Sequence, residues 1–326
     1  MNISDGWNYS FLDPNSHEKG ICLVQFVGDS FNGRIPSQID NFPIVTLGSG
    51  DEKNPLLPIE KIQDNTTITF DRSNSIREIA PYCFLNNTKI RDVQFPNSIV
   101  KIGDMAFKGC SSLTQLILPK ELELVDGGAF WGCSNIKEIK FNQALTTLES
   151  WAFMGCSAIE ELNFNTNLFQ IGKWAFQDCE SLKKVHFNEN LKVVLGAAFK
   201  NCTSLIEVRP NLKLKHFWGP VFQGCTRLKS VILHHNFKTV GRAAFMGCTE
   251  LESIRFPSSI LEIEGQAFEN CKKLKRIELE RTEEPLTKLG EDAFAGSAIK
   301  LIVIPNSTTY KKEDNWKMYN KIFSNK

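Results

Sequence analysis

The sequence predicts an α/β repeat solenoid of about ten 23-residue coils, with a parallel β-sheet on the concave side and short helical turns on the convex side. Three observations carry this prediction. A phenylalanine returns every 23 residues from Phe84 to Phe268, usually after alanine, as in Ala106-Phe107, Ala129-Phe130, Ala152-Phe153 and Ala175-Phe176. A cysteine follows three residues after each Phe from Cys110 to Cys271. Between these pieces the apolar residues keep fixed offsets, as do Leu113, Leu116 and Leu118. A fixed period in the twenties marks stacked coils, each too small to bury its apolar face alone.

In chain order, residues 1–65 repeat poorly and read as an N-terminal cap, because an end coil must cover an otherwise exposed apolar face. Cys22 to Val27 reads as a strand, with turn signals at Gly28-Asp29, Asn32-Gly33 and Pro36. Ile44 to Gly48 resembles the later Ile-Gly step and predicts one degenerate coil, followed by an exposed loop from Ser49 to Pro58. Residues 66–305 form the regular array, which runs through the Phe-centred coils to Phe294. In each coil the apolar alternation after the cysteine predicts a half-buried strand. Before the Phe comes an apolar pair such as Ile99 and Ile102, often followed by a turn-permitting glycine (Gly103, Gly172, Gly241, Gly290). The Ala-Phe-x-x-Cys piece is too short for an independent helix, so a helical turn held by packing is expected. The variant coil around Phe217-Trp218-Gly219-Pro220 predicts a local kink, and the step to Phe294 carries three extra residues near Arg281 to Pro285. Residues 306–326 read as a C-terminal cap that packs Tyr310, Trp316, Tyr319 and Phe323 over the last coil.

The 326 residues are 42% hydrophobic and 23% charged, with 38 basic against 37 acidic side chains and a net charge of +1. That balance creates no long-range field, so nucleic acid is not an expected partner. No apolar run is long enough to insert in a membrane, and the N-terminus does not resemble a signal peptide. The ten cysteines are evenly spaced in their main series, which fits a repeat position better than a metal site, since ligands must converge on a point. Stacked coils would hold equivalent Cα atoms about 4.8 Å apart with parallel Cβ vectors, so buried reduced thiols are expected rather than disulfides. The five histidines are His17, His186, His216, His234 and His235. His234 and His235 are adjacent in a strand-like stretch and would point to opposite faces, which argues against a shared metal with His186. No phosphate loop, nucleophile elbow or metalloprotease signature is present. Glycosylation sequons, among them those at Asn8, Asn65, Asn86, Asn201 and Asn306, occur no more often than chance explains. No enzyme activity, metal or cofactor is therefore expected.

Binding residues follow from strand alternation. The residues between the last two buried positions of each strand form an outward column: Gln94, Ile117, Lys140, Asn163, His186, Arg209, Ile232, Arg255, Glu278 and Val303. A second column two residues earlier contains Glu138, Glu161, Lys184 and Glu207. Such a mixed-charge strip reads either as a solvated face or as an extended ligand-binding surface centred on Lys140, Asn163, His186, Arg209 and Arg255. A competing aromatic flank consists of Trp131, Trp151, Met154 and Trp174, at variable positions around the Ala-Phe pair in three successive coils. It reads either as an interface anchor or as packing between coils.

The recurring phrase Ile-x-x-Ile-Gly-x-x-Ala-Phe-x-x-Cys-x-x-Leu-x-x-Ile-x-Leu-Pro, as in residues 99–119, resembles the BspA-like leucine-rich repeat family over residues 76–305. The resemblance implies a right-handed leucine-rich-repeat solenoid, on a microbial cell surface or secreted, implicated in adhesion to host matrix proteins or other cells. The expected protein is a monomeric, non-enzymatic module for a protein or glycan ligand. It would be at the surface or secreted if an export signal was removed, and otherwise cytoplasmic. An intracellular scaffold joining proteins is the alternative.

Overall fold

The structure, a computed structural model, describes residues 2–13, 20–71, 75–280, 286–304, 316, 319 and 321–325. The inserted residues 281–285, Tyr310, His17 and most of 306–326 lie outside the described residues. The chain divides into two compact units, Met1–Ile159 and Glu160–Lys326.

Each coil has three sides. The strand after the cysteine, here called the front strand, is short and alternates out, in, out: Gln115–Ile117 and Glu138–Lys140 bury only Leu116 and Ile139. The second member of the apolar pair before the Phe, such as Ile102, lies in a two-residue side strand that was not expected. Lys101–Ile102 pairs in parallel with Glu78–Ile79 and with Leu124–Val125, each burying its second residue. The third side is the Ala-Phe-x-x-Cys piece.

That third side differs from the expected helical turns, and the backbone explains why. The residue before Ala has left-handed φ in coil after coil (Met105 52°, Trp151 60°, Trp174 57°), as does the residue before Cys (Gly109 75°, Asp178 60°, Asn201 58°). Left-handed residues at both ends prevent a helix from propagating. The piece folds instead as successive tight turns such as Lys108 N–H to Met105 O, and alternate N–H groups bond the next coil, as in Met105 to Gly127 O, Phe107 to Ala129 O and Gly109 to Trp131 O. The result is a β-solenoid of about twelve coils with almost no helix.

In the first unit, Asn2–Ser4, Trp7–Phe11 and Ile21–Phe26 form an antiparallel cap, closed by Trp7, Phe26 and Phe31 packed edge to face. Ile21–Phe26 then pairs in parallel with Phe42–Leu47, so the N-terminal part contributes coils that carry no Phe of the series. Leu47 aligns with Ile79. In the second unit the last front strand, Leu301–Ile304, pairs with Phe323–Asn325, and Trp316 is buried against Tyr319 and Phe323.

Three ladders hold the coils in register. Phe84, Phe107, Phe130 and Phe153 stack at 4.7, 5.2 and 5.3 Å in the first unit, and Phe176, Phe199, Phe222 and Phe245 stack at 5.5 Å each in the second. Their planes are near parallel, within 3–19°. Each fully buried ring thus shares both faces with its neighbours.

The cysteines are buried and form no disulfides. The repeat thiols donate to the carbonyl of the preceding coil's Phe: Cys110 to Phe84 O at 3.0 Å, Cys133 to Phe107 O at 3.1 Å, Cys225 to Phe199 O at 3.3 Å. Burial pushes these thiols up, to about 12 for Cys110 and Cys225, so they keep the proton they donate. Where the series ends, Ser297 Oγ makes the equivalent bond to Phe268 O at 2.7 Å.

Asparagines at the corner after the front strand form the third ladder. Asn211 donates Nδ2 to Leu191 O at 2.8 Å and accepts from the Lys213 and Leu214 N–H groups at 2.7 and 2.9 Å; Asn188 does the same with Leu168, Asn190 and Leu191. These amides satisfy corner backbone that no strand can reach.

Candidate ligand-binding face

The front strands set the predicted columns in register within each unit. Ile117 lies beside Lys140 in the first; Asn163 lies beside His186, and Arg255 beside Glu278, in the second. Lys140, Asn163, His186, Arg209 and Arg255 are all exposed.

Most of the cationic side chains are matched by a carboxylate. Lys140 Nζ is 3.9 Å from Glu138, Arg209 Nε is 2.5 Å from Glu207, and His186 Nε2 is 3.2 Å from Glu161. Arg255 contacts Glu278 at 3.9 Å and also Glu280. The Lys140 and Arg209 pairs join residues i and i+2 of one strand, whose side chains share a face. Glu161 is held below the usual carboxylate range, first by the Asn163 amide at 3.1 Å and then by the His186 and Lys184 charges. Exposed pairs of this kind add little to stability and exchange readily for a ligand's charges.

In the second unit the face opens into a groove of about 630 Å³. Lys183, Lys184, His186, Glu207 and Arg209 line it, around an apolar floor of Val185, Phe187 and Ile206. Of the predicted residues it brings together His186 and Arg209; Asn163 reaches it only through Glu161, and Arg255 lies outside it. Lys184 and Glu207 come from the second predicted column, whereas Lys183, Phe187 and Ile206 were missed by sequence reasoning. A signal was present: Ile206, 41% exposed, stands in a column where the other coils carry Thr114, Lys137, Glu160, Lys183, Lys229 and Glu252.

The aromatic flank is distributed over both units, with Trp131, Trp151 and Met154 in the first and Trp174 in the second. Trp131 is half-buried, with Lys108 Nζ 4.1 Å above its ring and Gly155 at its edge. Trp151 is 38% exposed. Trp151 and Trp174 take the left-handed φ that Gly128 supplies one coil before Trp151. A bulky residue there is strained by about 1–3 kcal/mol.

Among the described residues no group of three His, Cys, Asp or Glu could hold a metal ion. His234 is occupied otherwise. It stands at the Asn188 and Asn211 position of the corner ladder, with Nε2 3.1 Å from Leu214 O and Nδ1 3.1 Å from the Asn236 N–H. The neutral Nε2–H tautomer reproduces the asparagine's donated bond and one of the two it accepts. Burial, first of all, lowers its pKa.

Among solved structures, the chain is similar to a leucine-rich repeat protein from Bacteroides ovatus, 19% identical with a TM-score of 0.50 over 100% of this chain and 99% of that one. A leucine rich cell surface protein from Faecalibacterium prausnitzii is 18% identical over 99% of this chain and 97% of that one, with a TM-score of 0.49. The T. pallidum leucine rich repeat protein is 21% identical over 77% and 90%, with a TM-score of 0.42. No curated protein matches. A model of the BspA type leucine rich repeat region matches in six copies over residues 77–206 and 198–323. With most of its length covered by these copies, the chain belongs to the BspA type leucine-rich repeat family.

Proposed function

We propose that the chain is a non-enzymatic recognition module that binds a protein or glycan partner on its front face, as an adhesin-like protein of a microbial surface. The observation that carries the reading is the groove of the second unit, where His186 and Arg209 stand over apolar side chains that nothing in the coil requires to be exposed. Repeat proteins bind along such extended faces. The family supports the surface or secreted setting. No helix among the described residues is long and apolar enough to cross a membrane.

A screen of the purified protein against extracellular-matrix proteins and glycans tests the reading. Two double variants, Lys140→Glu with Arg209→Glu and Trp151→Ala with Trp174→Ala, are run in parallel. Loss of a hit in the first pair alone supports the front face. Loss in the second pair alone moves the site to the flank, a reading favoured by the left-handed backbone held at Trp151 and Trp174. The intracellular scaffold draws on the thiol ladder, which works as a donor series only while reduced. A binder recovered from cytosol, with none among matrix components, would favour it.

A further inference from the structure

One junction between coils in the second unit is unlike its neighbours. Among the described residues no bridge joins the front strand Lys184–His186 to Glu207–Val208, and none joins the side strand Val193–Val194 to His216–Phe217. The junction is held by the Phe199–Phe222 stack, by Cys225, by the Asn211 amide, by one front-side bond from Ile206 N–H to Lys183 O at 3.3 Å, and by turn-side bonds such as Phe199 N–H to Val221 O at 2.9 Å. The coil that follows it carries the Trp218-Gly219-Pro220 variant.

The parting leaves backbone donors without acceptors. One coil later, the Ile232 N–H reaches Val208 O at 3.0 Å; the equivalent Arg209 N–H has no acceptor among the described residues. In the first unit Leu118 N–H reaches Lys140 O at 3.1 Å; the equivalent Phe187 N–H likewise has none. By strand geometry both donors are directed into the seam. The seam also uncovers its floor: Val185 is half-buried, whereas Leu162, Val208 and Ile254 at the same position are 1–2% exposed. Loss of bridging alone does not do this. Ile90–Val93 and Gln115–Ile117 are also unbridged, yet Val93 stays buried at 6%.

On the rim, Lys183, His186 and Arg209 each have a carboxylate partner in Glu160, Glu161 and Glu207. Lys184 has no ion pair among the described residues. An incoming group therefore meets two backbone N–H donors, an apolar floor and the Lys184 ammonium, which acts on Glu161 beside it in register but forms no ion pair with it.

We infer that this seam seats an extended peptide segment in which an apolar side chain neighbours an acidic one. This deepens the front-face reading and rests on it. The peptide's carbonyls accept from the Phe187 and Arg209 N–H groups, as an added strand does. Its apolar side chain lies on Val185, Phe187 and Ile206, and its carboxylate pairs with Lys184. A basic segment would leave Lys184 unmatched and bring like charges together, which is how such a rim selects. The groove is large enough for a few residues and too small for a folded domain.

The test titrates full-length protein with two blocked hexapeptides, one alternating Leu and Glu and one alternating Leu and Lys, following backbone amide resonances. The Leu-Glu peptide should shift the Phe187 and Arg209 amides, and Lys184→Glu should weaken it about tenfold. A Leu-Glu depsipeptide, whose ester carbonyls are weaker acceptors than amide carbonyls, should give smaller shifts of these two amides at saturation. Equal binding of both peptides, or Phe187 and Arg209 amides left unmoved at saturation, overturns the inference. Failure here is distinguishable from failure of the broader reading: a matrix ligand lost in the Lys140→Glu/Arg209→Glu pair while the seam amides stay unmoved retains the front face and removes the peptide seat.

Discussion

Replacing Cys225 by Ala and by Ser separates two roles for the repeat cysteine, a filler of space and a donor. Cys225 is fully buried, its Sγ 3.3 Å from Phe199 O, and that carbonyl has one other, long bond, from the Cys202 N–H at 3.3 Å. Alanine removes the donor, at about 0.5–1.5 kcal/mol for one net hydrogen bond. It also removes one buried heavy atom, at a similar cost. The total is about 1–3 kcal/mol. Serine keeps a donor, and Ser297 already makes the bond at 2.7 Å where the series ends. It should therefore retain about 1 kcal/mol that alanine loses, although in an apolar site serine is ordinarily the worse replacement. Urea unfolding with unchanged m reads the difference directly. An alanine variant as stable as the serine variant, or more stable, refutes the donor role and leaves the thiol as filler.

Other predictions follow the same packing. Phe176→Ala should cost about 3–5 kcal/mol, because the ring is fully buried and stacked at 5.5 Å on Phe199; an unchanged unfolding midpoint would sink the proposed register. His234 and His216 both titrate below the ordinary 6.5, first through burial. The unfolded chain therefore binds their protons more readily, so stability is complete above about that pH and falls as pH drops below it. His234→Asn keeps both corner bonds without a titrating group, and should flatten part of that acid slope in denaturation midpoints measured from pH 8 to 5; an unaltered slope would deny His234 its share. Lys140→Glu and Arg209→Glu should leave the midpoint unmoved by circular dichroism, since both side chains are exposed and their pairs are solvated. Unfolding of either variant would mean the front columns are misassigned.

The coil architecture was legible because its signals are local and repeated: Phe, Cys and the apolar offsets recur in phase, and repetition turns weak propensities into one pattern. The side strand escaped because two residues are too few for an alternation to register, and its pairing is set wholly by the neighbouring coil. The turn side escaped because left-handed backbone under Met105, Trp151 and Trp174 has no residue signature, whereas Asn, Asp and Gly before the cysteine do carry one. The corner asparagines at 142, 165, 188 and 211 were visible as a period but not as hydrogen-bond hubs, and His234 takes its meaning only from that ladder. The front columns were readable from alternation. The groove was legible only in Ile206, an apolar residue in an otherwise polar column, because the missing bridges beneath it have no residue signature.

The claim that recognition is a property of the front face is tested most directly by amide hydrogen exchange of the protein with and without the partner recovered in the binding screen. Protection should concentrate in front strands 184–187 and 206–209, with the turn segments at 151–154 and 174–177 exchanging as in the free protein. Protection confined to those turn segments, with the front strands unchanged, would contradict the account.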